Sequence, residues 1–289
     1  MAASAADWFA GRLATIATMH RKEQVIAPAL ETELGLTCQV PSNFNTDAFG
    51  TFTRDVDRSG DQRTTARRKA EAALDLTGTT LAIASEGSFG PHPQIPFMAC
   101  NREVVLLLDQ QHGLEMVGEY LSTDTNYRAE VIASVEAALA FAQSVGFPHH
   151  GLVVMPQPQG NAPDSIFKGI TQDADLIAAV ETLLVQSPQG RIHIETDMRA
   201  MHNPKRMQAI ARATAELIAT TRRLCPACGT PGFALVERQP GLRCGDCGTP
   251  TLLTRALVYH CDRCDHTETQ PDPDAPAAAD PGYCPYCNP

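Results

Sequence analysis

The sequence predicts an α/β protein: a mixed, partly parallel twisted sheet flanked by helices over residues 1–223, followed by a small tandem zinc-ribbon module over residues 224–289. Three observations predict it. Apolar runs of strand length alternate with stretches of helical spacing. The turn Gln110-Gln111-His112-Gly113 joins two of the strands as a hairpin, so the sheet is mixed rather than wholly parallel. The last quarter of the chain carries four CxxC pairs.

Leu13–Thr18, LATIAT, is a strand that stops at Met19-His20-Arg21-Lys22, after which Glu23–Leu34 resumes with helical spacing. A strand, a polar turn and a helix aim backbone N–H groups and a lysine at an anion. With no glycine-rich loop present, a solvated turn is the plainer reading. Cys38–Asn43 reads as a second strand ending at Pro41, and residues 44–60 as a polar loop whose Asp47, Asp55 and Asp57 offer oxygen ligands to Mg²⁺. Asp61–Leu76 is a helix with Ala66, Ala70, Ala73, Leu74 and Leu76 as its inner stripe. Its Arg67, Arg68 and Lys69 form either a solvated basic face or a reach toward a phosphate.

Thr79–Ala84 is a buried strand running into a polar turn, Ser85-Glu86-Gly87-Ser88-Phe89-Gly90-Pro91, where glycines beside the lone carboxylate of Glu86 permit close approach of a ligand. Glu103–Asp109 and Leu114–Leu121 are the hairpin strands. Tyr127–Val145 has the spacing of an amphipathic helix, with Val131, Ile132, Val135, Leu139 and Ala142 on one side. Gly151–Met155 is a strand, 156–165 a loop ending near Phe167-Lys168-Gly169, Asp173–Val185 a helix and Arg191–Glu195 a strand. Asn203 as N-cap and Pro204 at the first helical position start a helix that reaches about Arg223. Glu195, Asp197, Arg199, His202 and Arg206 crowd the turn before it, which is also read more plainly as a capping turn with surface charge.

The cysteine pairs are Cys225/Cys228, Cys244/Cys247, Cys261/Cys264 and Cys284/Cys287. Two thiolates of one CxxC turn reach the same tetrahedral ion, so four pairs make two four-cysteine sites, each suited to structural Zn²⁺. Taken in sequence, the first pair joins the second and the third joins the fourth, as in two consecutive ribbons. The spacing leaves open the alternative in which the first joins the third. A disulfide framework and rubredoxin-like iron are the competing chemistries. His260 and His266 flank the third pair and are read as surface groups or supports rather than ligands. Cys38 and Cys100 stand alone, as small buried hydrophobes usually do.

A chain of 289 residues with 43% hydrophobic and 19% charged residues has room for one sizeable core and a small appendage. The formal net charge of -10 argues against general affinity for nucleic acid or an anionic membrane. No apolar run is long enough to span a bilayer. Met1–Thr18 contains Asp7 and Arg12 without a basic head before an apolar stretch, so no signal peptide is expected, and the chain is expected to be cytoplasmic with reduced thiols.

Ligands of α/β sheets bind beyond the carboxyl ends of strands. Three strand ends finish in polar turns, at Thr18–Lys22, Ser85–Gly90 and Glu195–Arg199. If they share one edge, Thr18, Lys22 and arginines such as Arg199 surround an anion, while Glu86 with Asp197 or a loop aspartate holds Mg²⁺ and orients a water.

The segments LATIATMHRKE, TTARRKAEAAL and LAIASEGSFG resemble the amino-terminal half of the inosine/xanthosine triphosphate pyrophosphatase and Maf-like fold. That resemblance implies a long twisted mixed sheet, a nucleoside triphosphate substrate, Mg²⁺ and release of pyrophosphate, with Thr18, Lys22 and Lys69 on phosphate and Glu86 as the acidic residue. His20 stands where asparagine is usual, and Lys22 sits one place early. Over a longer span, ETDMRAMHNP, CPACGTPGF and GLRCGDCGTPT resemble a bacterial family of unknown function that ends in cysteine-rich ribbons.

Two functional classes follow. The first is a Mg-dependent hydrolase acting on a nucleotide or other phosphorylated small molecule, with structural or docking ribbons. The second is a non-catalytic zinc-ribbon adaptor whose body binds a ligand and whose ribbons meet a protein. A nucleic-acid-binding ribbon protein is a third reading, which the charge disfavours.

Overall fold

The computed structural model describes residues 4–46, 61–157 and 165–289. Asp47, Asp55, Asp57 and most of the 156–165 loop lie outside the described residues. The chain forms two compact units, Phe9–Ile218 and a second made of Met1–Trp8 with Ala219–Pro289.

The short α1 (Ala6–Phe9) falls on the boundary between the units, and within the larger unit β1 (Leu13–Ala17) is followed by α2 (Glu23–Leu34). Next come β2 (Thr37–Gln39), α3 (Gln62–Thr77), β3 (Leu81–Pro91), β4 (Ala99–Asp109) and β5 (Leu114–Ser122). They build a five-stranded sheet of order β2-β1-β3-β4-β5, in which β1 runs parallel to both neighbours and β3, β4 and β5 are antiparallel. Asp61 caps α3 by accepting from Thr64 N–H at 2.7 Å. The alanine stripe of α3, Ala66, Ala70 and Ala73, packs with Leu74 against Ala17, Ala82, Ala84 and Leu106. Small residues on both surfaces let helix and sheet approach closely. Leu76, expected in that stripe, is 54% exposed.

The segment Ser85–Pro91, expected as a turn, is strand. β1 stops opposite Ala84, but β3 runs on because Val105 back to Ala99 of β4 supply its hydrogen-bond partners. Non-local pairing here overrides a glycine-rich local sequence.

A second sheet follows. β6 (Ala129–Ile132), α4 (Val135–Val145), β7 (Leu152–Pro156), β8 (Phe167–Ile170), α5 (Asp173–Gln186) and β9 (Ile192–Thr196) give an antiparallel sheet of order β6-β9-β7-β8. Phe141, Leu176 and Leu183 of the two helices pack on Leu152, Val154, Ile192 and Ile194. The helix expected over Tyr127–Val145 therefore begins only at Val135. Ser134 caps it by accepting from Ala137 N–H at 3.2 Å, and Ala129–Ile132 pairs with β9 instead. Phe167–Gly169, expected at the end of a loop, belongs to β8 for the same reason: β7 pairs with it. α6 (Pro204–Arg222) starts as its sequence foretells, with Asn203 Oδ1 accepting from Arg206 N–H at 3.0 Å.

The smaller unit contains β10 (Ala234–Pro240), β11 (Thr254–His260) and β12 (Thr267–Pro271), a three-stranded antiparallel sheet with β11 in the middle. No helix among the described residues is long and apolar enough to cross a membrane.

Candidate functional site

Each CxxC pair closes a tight turn in which the residue after the second cysteine donates its N–H back to the first. Gly229 donates to the Cys225 carbonyl at 2.8 Å, Gly248 to Cys244 at 3.0 Å, Asp265 to Cys261 at 2.9 Å and Asn288 to Cys284 at 2.9 Å. The first three of these closing residues have positive φ, which glycine adopts freely and which Asp265 adopts at +56°.

The pairs assemble as two tetrads, Cys225, Cys228, Cys261 and Cys264, and Cys244, Cys247, Cys284 and Cys287, with the sulfurs of each within 4.8 Å of one another. The pairing is first with third and second with fourth, which corrects the consecutive pairing. Sheet geometry dictates it. Ala234 at the start of β10 lies opposite His260 at the end of β11, so the first and third turns share one end of the hairpin. The second turn lies in the connection between those strands, at the other end. β12 carries the chain back there, where Ala279 N–H donates to the Arg243 carbonyl at 2.8 Å and Gly245 N–H to the Ala279 carbonyl at 2.9 Å. Strands of this length separate the two ends by about 20 Å.

The sulfurs fit a tetrahedral metal. Zn–S bonds of about 2.3 Å place tetrahedral sulfurs about 3.8 Å apart. Cys225–Cys264 and Cys228–Cys261 are 3.7 Å apart, Cys244–Cys287 3.9 Å and Cys247–Cys284 3.6 Å. No disulfide joins them. Hydrogen bonds from the Thr230 hydroxyl and N–H pull the Cys228 thiol down to about 6, and Thr249 does the same for Cys247. Bound Zn²⁺ would lock the turns together as a structural ion, with no open coordination position. His260 turns toward Asp262, 3.2 Å away, and His266 stacks on Phe233 with ring centroids 5.8 Å apart. Neither joins a tetrad.

The larger unit holds a buried ionic cluster at the carboxyl end of β1. Lys22, at the start of α2, donates to the Ser85 hydroxyl at 3.0 Å and the Ser85 carbonyl at 3.2 Å. Lys69 of α3 pairs with Glu86, whose other oxygen accepts from Gly87 N–H at 3.2 Å. Arg206 of α6 donates from Nε to Glu103 at 2.8 Å and also reaches the Met198 carbonyl. All five charged side chains are buried. Burial pushes the Lys22 ammonium down to about 7, with the charges of Arg206 and Lys69 adding to the effect and Glu86 and Glu103 opposing it.

Of the residues singled out from sequence, Lys22, Lys69 and Glu86 thus come together. Thr18 is buried and accepts from His20 N–H at 3.2 Å, shaping the turn. Asp197 and Arg199 form their own pair at 2.6 Å, with Gly169 N–H donating to Asp197 at 3.0 Å. His202 beside them is held below its ordinary value by burial, with Arg199 and Arg21 of the first turn contributing and Asp197 opposing. The strands before the turns at 18–22 and 197–202 belong to different sheets, so the expected shared parallel edge is not formed, and Arg206 ties the second turn to Glu103. Glu86 is engaged by Lys69 and Asp197 by Arg199. Among the described residues, the groups of three or more metal-ligating side chains drawn together are the two cysteine tetrads, so the expected Mg²⁺ has no such protein ligand set there.

Glu103 is the member that sequence reasoning leaves without a role, and Arg206 figures there only among the charges crowding the turn before α6. A signal was present. Glu103 alternates in phase with the buried Val105 and Leu107, and Arg206 falls in phase with the buried Ile210, Ala213 and Leu217. A charge on an apolar stripe is the informative exception to burial rules.

None of the curated proteins compared with the chain matches it. A family model described as a domain of unknown function, DUF6671, matches residues 69–289, a span that includes Lys69, Glu86, Glu103, Arg206 and all eight tetrad cysteines but begins after Lys22. Covering well over half of the sequence, that match makes the chain a member of the DUF6671 family.

Proposed function

We propose that the α/β body is a hydrolase of phosphorylated small molecules, nucleotides among them, and that the cysteine tetrads bind two structural zinc ions. The observation that carries this reading is the convergence of five elements on one buried cluster in which three cations (Lys22, Lys69 and Arg206) meet two carboxylates (Glu86 and Glu103). Among the described residues these five side chains carry one positive charge in excess when Lys22 is protonated, and a buried excess charge is costly unless a counter-ion meets it. A phosphoryl group supplies that charge. Lys22 and Lys69 then hold phosphate, with Thr18 shaping the turn and Asp197 positioning Arg199 at the rim. Glu86, relieved of Lys69 as the lysine turns to phosphate, accepts a proton from the attacking water. Magnesium bound with the substrate would supply neutralisation of phosphate charge.

The test is a screen of nucleoside and sugar phosphates with Mg²⁺, read as released phosphate or pyrophosphate, for wild type, Lys22→Met and Glu86→Gln. Turnover by wild type that both variants abolish supports the proposal. Silence of all three toward every substrate, with no thermal shift, sinks it.

A second reading makes the chain an adaptor that docks a protein through the metal-binding unit. It is favoured by the surface of that unit: from Cys225 onward it has eight acidic against four basic side chains, and Tyr283 and Tyr286 are 66% and 76% exposed. Cross-linking in cells, compared between the full chain and the Tyr286→Ala variant, separates the two. Specific capture lost in the variant supports docking.

A further inference from the structure

The two tetrads have the same ligands but different surroundings. The first is built into the sheet. Its turns adjoin β10 and β11, whose ladder begins at Ala234–His260, and Cys225 and Cys261 share an apolar cluster with Phe233, Leu257 and Tyr259. Phe233 stacks on Tyr259 with centroids 5.7 Å apart, and the Arg223 guanidinium covers the Tyr259 ring at 4.6 Å. Those contacts hold the first and third turns together whether or not an ion is present.

The second tetrad depends on an arm. Residues 272–283 connect β12 to the fourth turn, and Ala279 alone among them is buried. The described backbone bonds from the arm to the rest of the unit are Asp272 N–H to the Arg255 carbonyl at 3.2 Å and the two through Ala279. Apart from Gly282 and Tyr283, the remainder of the arm is proline, alanine and aspartate, a composition that gains little from packing. Beyond the Arg238–Asp272 ion pair at 3.9 Å where the arm begins, the sulfurs of Cys284 and Cys287 against those of Cys244 and Cys247 are the link that closes it.

We propose that the second tetrad is a zinc-operated clasp: withdrawal of its ion releases residues 272–289 as a unit while the first tetrad keeps its own ion and the β10-β11-β12 sheet stays folded. Metal binding is folding free energy wherever the site does not exist without the metal. Here that coupling is confined to one of two chemically identical sites. Such a clasp answers to the free zinc concentration and, when it opens, frees the acidic, proline-rich segment together with the already exposed Tyr283 and Tyr286 from the rest of the unit.

The experiment is zinc removal from the intact, fully loaded protein with a chromogenic chelator, with hydrogen exchange and elastase cleavage mapped by mass spectrometry at intervals. The expected result is two phases of equal amplitude, the faster by at least about tenfold, with exchange and cleavage appearing in 272–283 during the first phase only. In Cys284→Ser/Cys287→Ser the fast phase is absent, and one tightly held ion remains. Release of both ions in a single phase, or loss of the first ion with 272–283 still protected, overturns the proposal, and wild type alone is sufficient to reveal either.

Discussion

Arg206 and Glu103, 103 residues apart in the chain, meet at 2.8 Å with side chains only 1% and 0% exposed. Their contact joins α6 to β4, and through the Met198 carbonyl it also anchors the turn that carries Asp197 and Arg199. Removing one partner leaves the other charged and buried. Glu103→Gln and Arg206→Met are each expected to lower unfolding free energy by about 3–5 kcal/mol. Replacing both by apolar residues should recover part of that loss. Urea unfolding of the singles and the double measures it, and additive losses would refute a direct coupling.

Gly87 lies opposite Glu103 in the β3–β4 ladder, and a Cβ there would fall 2.6 Å from Glu103 Oε2 and 2.7 Å from Arg206 Nη2. Gly87→Ala must displace the ion pair itself. It should cost about 1–3 kcal/mol, read as a lowered thermal midpoint, whereas Gly90→Ala, with open space around the new methyl group, should cost far less.

Lys22 makes stability depend on pH in a defined direction. Its folded value is about 7, against 10.5 for an unperturbed lysine, so between these values the unfolded chain holds a proton that the folded chain has lost. Stability contributed at this site therefore rises with pH across that window and is at its lowest below pH 7. Between pH 7 and 9 the gain of wild type relative to Lys22→Met should be about 2 kcal/mol. Equal pH profiles for the two proteins would show that the ammonium is not destabilised by its surroundings.

An anion at the cluster reverses this dependence, because it favours the protonated lysine. Binding of a phosphorylated ligand should weaken above pH 7, by up to about tenfold per pH unit. Calorimetric titrations at pH 6.5, 7.5 and 8.5 read the trend, and a flat affinity would place the ligand away from Lys22.

The pairing of the metal turns can be read in cadmium-substituted protein. Two ¹¹³Cd resonances are expected. Serine at Cys228 should disturb the same resonance as serine at Cys264, and serine at Cys247 the same one as serine at Cys284. If Cys228 and Cys247 instead share a resonance, the first turn joins the second.

The elements visible in the sequence were those specified by local chemistry. Asp61 and Asn203 cap α3 and α6 through their own side chains, and the alanine stripe of α3 carries its periodicity without help. What escaped was specified across the chain. Ser85–Pro91 is strand because β4 pairs with it, and Ala129–Ile132 is strand because β9 does. Both segments follow the wrong local rule, one being rich in glycine and the other continuing a helical stripe. The ionic cluster was half legible for a similar reason. Lys22 follows a strand end and Glu86 stands beside glycine, positions that draw the eye, and Lys69 stands out in the basic run Arg67-Arg68-Lys69. Glu103 and Arg206 sit inside regular elements, where only their phase with buried neighbours betrays them. The cysteine spacing declared two metal sites, but their partners follow from the strand order.

The crossed pairing of the turns makes the metal-binding unit indivisible over one stretch. The spans 225–264 and 244–287 overlap, so a cut anywhere from 248 to 260 divides both tetrads at once. On the ribosome neither tetrad can be complete until the third turn has emerged, and the first can form while the last turn is still being made. Two consecutive ribbons could be exchanged, duplicated or deleted one at a time during evolution. This unit has to be inherited whole through its third turn.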